Sequence, residues 1–152
     1  MERRRGPDES PRPTDAPQDT KGNTALHVAA ANGAPPEAVH MVLQKGADPN
    51  RKQFYGNTSV HLAAGSSSPR ASEVLGVLFE FGGDPNKRNN AENTPLHVAV
   101  SVKAPPDVFA KLVEKGADPG KKVKGKTVTE AAALANLPKE VIGILSSPRN
   151  AS

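Results

Sequence analysis

The residues best suited to chemistry in this chain are three histidines, His27, His61 and His97, each placed three residues after a threonine, Thr24, Thr58 and Thr94. Imidazole is the commonest metal ligand and the usual general base near neutral pH. A fixed set of histidines therefore invites a metal-binding or catalytic reading. The surrounding residues argue against it. No acidic residue recurs beside the histidines, and the 152 residues include no cysteine. A fourth threonine, Thr127, is followed three residues later by Glu130 rather than histidine. His40 stands outside the register and reads as a solvated or partly packed helix residue. No nucleophile elbow, zinc-protease helix or phosphate-cradling glycine loop is present; Gly82-Gly83 before Asp84-Pro85 lacks the Lys-Ser/Thr such a loop requires. Neither catalysis, a metal nor a cofactor is expected.

The elements that carry these residues recur. Thr24-Ala25-Leu26-His27-Val28-Ala29-Ala30 returns as Thr58-Ser59-Val60-His61-Leu62-Ala63-Ala64, then as Thr94-Pro95-Leu96-His97-Val98-Ala99-Val100, and in weaker form from Thr127 to Ala133. The threonines are 34, 36 and 33 residues apart. A second motif keeps phase with the first: Gly46-Ala47-Asp48-Pro49-Asn50, Gly83-Asp84-Pro85-Asn86 and Gly116-Ala117-Asp118-Pro119-Gly120. A period of this length belongs to stacked repeats, in which one unit cannot bury its apolar face without a neighbour. Stacked helices pack about 8–10 Å apart, whereas zinc–imidazole bonds are about 2.0–2.1 Å. The three histidines cannot share one ion. Their expected role is structural, a hydrogen bond near a helix start, alongside Thr24, Thr58, Thr94 and Thr127 as helix caps.

These two motifs resemble the ankyrin repeat, whose signature is close to T-P-L-H-x-A. Thr94-Pro95-Leu96-His97 has it intact, while Ala25 and Ser59 stand where the family usually has proline. The resemblance implies an all-α solenoid, a stack of helix-turn-helix units joined by projecting hairpin loops. It also implies binding of other macromolecules, through hairpin tips and a concave first-helix face, rather than catalysis. Repeats are expected at about 20–53, 54–89, 90–122 and 123–148, the last a degenerate cap.

Residue patterns within each unit agree with this layout. Second helices are expected to bury Val39, Val42 and Leu43; Val74, Val77 and Leu78; Val108, Leu112 and Val113; and Val141, Ile142 and Leu145, whose spacings of three and four share one face. Gly46, Gly82 and Gly116 should close these helices in the left-handed conformation. Pro35-Pro36-Glu37 and Pro105-Pro106-Asp107 put proline at a helix start, where its missing N–H is no loss. The interval from His61 to Glu73 is two residues longer than its counterparts, within Gly65-Ser66-Ser67-Ser68-Pro69-Arg70. A protruding, mobile turn is expected there, a linker whose serines could accept phosphate.

Composition sets the remaining bounds. Four Phe, one Tyr and no Trp leave the core to Ala, Val and Leu, which suits thin helical layers. No run of about eighteen apolar residues offers a membrane span, and the basic N-terminus lacks the apolar segment of a secretory signal. Cytoplasm or nucleus is the expected location. Residues 1–19 hold four prolines and nine charges with almost nothing apolar, and should be a disordered tail; residues 149–152 form a second short tail.

Net charge is +4, and residues 21–152 carry sixteen basic against eleven acidic side chains, so the repeats are the basic part. Three and four residues after each repeat aspartate stand Arg51-Lys52, Lys87-Arg88 and Lys121-Lys122, with Lys124 and Lys126 following. Stacking would convert this register into a ridge that attracts an acidic protein partner. Phe54-Tyr55 is an aromatic pair at the first hairpin tip. Either both rings are exposed as an anchor, or Phe54 folds back on the stack and leaves only Tyr55 exposed. The residues assigned to partner binding are Arg51, Lys52, Phe54, Tyr55, Lys87, Arg88, Asn90, Lys121 and Lys122. Lys121-Lys122-Val123-Lys124 also resembles a short nuclear-import motif, although the hairpin already accounts for it. The expected function is a non-catalytic, monomeric protein-binding module. Competing readings are an inhibitory or regulatory subunit of an enzyme, or a fragment of a larger repeat protein. Nucleic-acid binding is disfavoured because aromatic residues for base stacking are scarce.

Overall fold

Six of the eight described helices start at a threonine cap or a first-turn proline. The computed structural model describes residues 20–146; the expected tails at 1–19 and 149–152 lie outside the described residues. Four helices begin at a threonine cap: α1 (Ala25–Asn32), α3 (Ser59–Ala64), α5 (Pro95–Ser101) and α7 (Val128–Leu134). In each, the Thr24, Thr58, Thr94 or Thr127 hydroxyl accepts the N–H of the residue three positions on. That bond satisfies one of the backbone donors left open at a helix start.

Each of these is followed by a partner helix: α2 (Pro36–Gln44), α4 (Ala71–Glu80), α6 (Pro106–Glu114) and α8 (Lys139–Ser146). Pro36 and Pro106 occupy the first turn, with Glu37 and Asp107 near the positive end of the helix dipole. Gly46, Gly82 and Gly116 follow α2, α4 and α6 with φ of 98°, 90° and 105°. The reversal lets the next N–H reach back to the last turn, as in Ala47 to the Val42 carbonyl and Ala117 to the Leu112 carbonyl.

The pairs stack in chain order. Helix α1 packs on α3, α3 on α5 and α5 on α7, while α2, α4, α6 and α8 form a second layer with the same succession. The core lies between the layers. First helices supply Leu26, Val60, Leu96 and Val128; second helices supply Val39 and Leu43, Val74 and Leu78, Val108 and Leu112, and Val141 and Leu145. Val42, Val77, Val113 and Ile142 are only half-buried, whereas Leu75 and Phe109, outside the expected stripe, are fully buried. A central helix in a stack is covered on two flanks, so a single-face stripe understates what it buries.

The loops between pairs differ from one another. The third carries a short antiparallel hairpin, β1 (Lys122–Val123) with β2 (Lys126–Thr127), pairing Lys122 with Thr127 and Val123 with Lys126. The first two are closed by side chains instead: the Gln53 carbonyl oxygen accepts from the N–H groups of Tyr55 and Asn57, and that of Asn89 from those of Ala91 and Asn93.

The long turn at Gly65–Arg70 does not protrude as its length suggests. Ser66 is buried and Ser68 half-buried, with Ser67 left exposed. The turn folds back onto the preceding pair, where Gly33 (φ 67°) leaves no room for a Cβ beside the Ser68 side chain, and Arg70 Nη1 donates to the Gly33 carbonyl at 3.4 Å. Ser68 and Arg70 reach the neighbouring repeat, while Ser67, Pro69 and Arg70 stay open to solvent.

Candidate binding surface

The repeat histidines tie successive units together. In α1, His27 Nδ1 accepts from the Thr24 N–H at 3.0 Å, so the ring proton sits on Nε2, which donates to the Arg51 carbonyl at 2.8 Å. His61 repeats the arrangement, accepting from the Thr58 N–H at 3.1 Å and donating to the Asn93 carbonyl at 2.9 Å. Each imidazole thus closes a capping box at its own helix and holds the loop that follows. Among the described residues the His97 ring makes only the bond to the Thr94 hydroxyl, at 2.8 Å. Its Nε2 is buried without a hydrogen-bond partner among the described residues; the Lys126 carbonyl is near enough to favour the charged ring but outside bonding geometry. Glu130 takes the histidine position in α7 and accepts from the Thr127 N–H at 2.8 Å. This is the same capping box made by a carboxylate.

Burial holds the pKa of His61 below the usual imidazole value, with Lys52 acting in the same direction and the Asn93 and Lys87 carbonyls opposing. His97 is lowered likewise, by burial first and Arg88 second. Glu130 is held below the usual carboxylate value by the Thr127 N–H and hydroxyl, aided by Lys122 and Lys126. His40 packs edge-on against Phe81, ring centroids 5.1 Å apart. Among the described residues no cluster of His, Asp or Glu could hold a metal ion.

A second set of polar bonds was not anticipated from the sequence. Asn50 receives the Asp84 N–H at 2.7 Å and donates to the Gly82 carbonyl at 3.0 Å, joining the first inter-repeat turn to the second. Asn86 does the same one unit on, with the Asp118 N–H and the Gly116 carbonyl. The signal was there: asparagine ends the Asp-Pro-Asn motif twice, and Gly120 replaces it where no further such turn follows among the described residues. The loop tips are joined as well, by Gln53 to Asn23 and Asn89 to Asn57.

These bonds place the basic residues in register. Lys52, Lys122, Lys124 and Lys126 are exposed, and Lys87 and Lys121 are half-exposed. None of the six forms an ion pair among the described residues. Two residues assigned to partner binding have structural work to do. Arg88 Nη1 donates to the Glu92 and Lys122 carbonyls at 3.0 and 3.2 Å, bridging the second and third loops. Asn90 Nδ2 donates to the Phe54 carbonyl at 2.8 Å, and its N–H to the Tyr55 carbonyl. Phe54 and Tyr55 are both exposed, 67% and 57%, yet one edge of the Phe54 ring covers Gly22, where a Cβ would lie 2.6 Å away. Both rings are therefore open to solvent, the first of the two sequence alternatives, although one edge of Phe54 also leans on the stack.

Two layers of paired helices, with loops carried along one edge in register, define a stacked-repeat protein. Comparison with family models gives the finer class: residues 17–63 match the model described as "Ankyrin repeats (many copies)" and residues 92–124 the model described as "Ankyrin repeat". The chain belongs to the ankyrin-repeat family. Members of this family are in general modules for protein–protein interaction. No helix among the described residues is long and apolar enough to cross a membrane.

Proposed function

We propose that this chain is a non-catalytic module that binds an acidic region of a protein partner along its loop edge. The observation that carries the reading is the shared register of cations: Lys52, Arg88 and Lys122 each bear on the capping residue of the next first helix, His61, His97 and Glu130 respectively. Like charges are thereby repeated once per unit along one edge. Arg51, Lys87, Lys121 and Lys124 thicken this row, and Phe54 with Tyr55 supplies apolar contact area at one end. Arg88 and Asn90 act as struts that keep neighbouring loops in phase. Because the loops are held by hydrogen bonds before the partner arrives, little ordering entropy is lost on binding. The cysteine-free sequence is in keeping with a cytoplasmic or nuclear setting, and the chain acts as a monomer in this reading.

The test is affinity capture with the wild-type chain and with Lys52→Glu/Lys87→Glu/Lys122→Glu. Partners held by the edge are lost from the variant, and those retained by wild type elute as salt rises. Capture of the same acidic proteins by both chains would rule the edge out as the docking surface.

A further inference from the structure

The long turn between α3 and α4 carries none of the residues assigned to the docking edge, yet it holds a repeated motif. Each of the three Ser-Pro pairs in the chain is followed by arginine: Ser10-Pro11-Arg12, Ser68-Pro69-Arg70 and Ser147-Pro148-Arg149. With only eight arginines among 152 residues, chance is a poor account of three out of three. The first and last triplets lie outside the described residues, and the middle one is the turn itself. Ser66, Ser67 and Ser68 belong to no helix or strand, and Pro69 and Arg70 are exposed. Within the turn the Ser68 N–H donates to Ser66 Oγ at 3.1 Å, and the Arg70 N–H to Ser68 Oγ at 3.0 Å. Two ties cross to the first helix pair: the Ser68 side chain rests on Gly33, and Arg70 Nη1 reaches the Gly33 carbonyl at 3.4 Å. The second is long for such a bond.

We propose that Ser68 is a phosphorylation site for a proline-directed serine kinase, and that the phosphate releases this turn from the first helix pair. Proline after the acceptor has no N–H to leave unpaired in an enzyme's cleft, and it holds the serine before it in extended backbone. Arginine two places beyond the acceptor offers a cation for a kinase carboxylate to pair with. The turn selects Ser68 over its neighbours: Ser66 is buried, and neither Ser66 nor Ser67 precedes a proline. In the transfer, a bond forms between Ser68 Oγ and the γ-phosphorus of a nucleoside triphosphate. The bond from that phosphorus to its bridging oxygen breaks, the hydroxyl proton passes to the kinase's base, and the nucleoside diphosphate leaves. The product carries a charge of about −1.5 to −2 and three acceptor oxygens. The space beside Gly33 does not admit even a Cβ, so it cannot take a phosphate. Arg70, two residues from the new charge, exchanges its long bond to a neutral carbonyl for a charge-assisted one. Both ties to Gly33 are then lost together.

The site is independent of the acidic-partner reading, and so is its test. The full chain carrying Ser10→Ala/Ser147→Ala, in which Ser68-Pro69 is the remaining Ser-Pro pair, is incubated with ATP and a proline-directed serine kinase. Mass spectrometry locates the phosphate, and a peptide of residues 63–73 shows whether the kinase reads the sequence. Ser68 is expected to be labelled in both. Pro69→Ala slows labelling of both by about tenfold or more. Gly33→Ala, which removes the contact from the other side, speeds labelling of the folded chain. Once labelled, the chain loses hydrogen-exchange protection at 65–70 and at the end of α1, while α5 and α6 keep theirs. A peptide or folded chain that resists the kinase at Ser68 overturns the site, as does equal labelling of Pro69→Ala. Labelling with unchanged protection overturns the release.

Discussion

At the scale of single residues, His27 and His61 act as hydrogen-bond hubs, and the chain needs these rings neutral. An imidazole that accepts at Nδ1 and donates at Nε2 loses the first bond when protonated. The lowered pKa values of His61 and His97 turn this into a pH dependence. Below its usual value an unfolded histidine takes up a proton that the folded ring resists, so the unfolded chain binds more protons and stability drops as pH is lowered. Urea midpoints are expected to be flat above pH 7 and to drop between about pH 6.5 and the lowered folded values. An unchanged midpoint from pH 7.5 to 5 would contradict the neutral assignment. Ser59 offers a second residue-level test. It occupies the first position of α3, where Pro95 stands in α5, and its buried hydroxyl has no hydrogen-bond partner among the described residues. Ser59→Pro restricts the unfolded chain and removes that orphan. A gain of about 0.5–1 kcal/mol in urea unfolding is expected.

At the scale of elements, polar side chains in the loops do the joining that helix packing leaves undone. Asn86→Ala deletes a donor to the Gly116 carbonyl and an acceptor for the Asp118 N–H. Each lost bond is worth about 0.5–1.5 kcal/mol, so equilibrium unfolding should show a loss of about 1–3 kcal/mol. The turn that follows α3 is held by a glycine across the interface. Gly33→Ala places a Cβ in the Ser68 side chain at a left-handed φ and is expected to cost about 1–3 kcal/mol. Exposure of Ser66 and Ser68 to a kinase or to limited proteolysis at Gly65–Arg70 should rise in that variant. A silent Gly33→Ala would mean that the turn does not depend on this contact.

At the scale of the whole molecule, the joints between units are unequal. The first two histidines reach the following loop, and the first two asparagines reach the following turn. The joint to the fourth pair lacks both: His97 Nε2 has no hydrogen-bond partner among the described residues, and Gly120 stands in place of asparagine. Helices α7 and α8 are held by packing, the β1–β2 hairpin and the Val128 N–H to the Pro119 carbonyl at 3.0 Å. Stack stability is a sum over units and their nearest-neighbour interfaces. Hydrogen exchange should therefore be faster at 128–146 than in α3 and α4, which have neighbours on both sides. Uniform protection along the stack would show that packing alone sets the coupling.

Periodicity and local chemistry sufficed for the class of fold, because each repeat repeats the same signals. Thr24, Thr58, Thr94 and Thr127 mark helix starts, Gly46, Gly82 and Gly116 mark ends, and their spacing announces a stack. Glu130 in the histidine position was equally legible as a departure from the repeat pattern. Contacts between units were not, because they join residues some thirty positions apart and depend on which atoms the stack brings within bonding distance. Only the tertiary structure turned Asn50 and Asn86 into links, drew Arg88 and Asn90 into the frame, buried Ser66 and set Ser68 against Gly33 of the preceding repeat. A local sequence signal specifies a cap or a turn; whether a polar side chain is open to a partner is decided by neighbours that arrive from elsewhere in the chain.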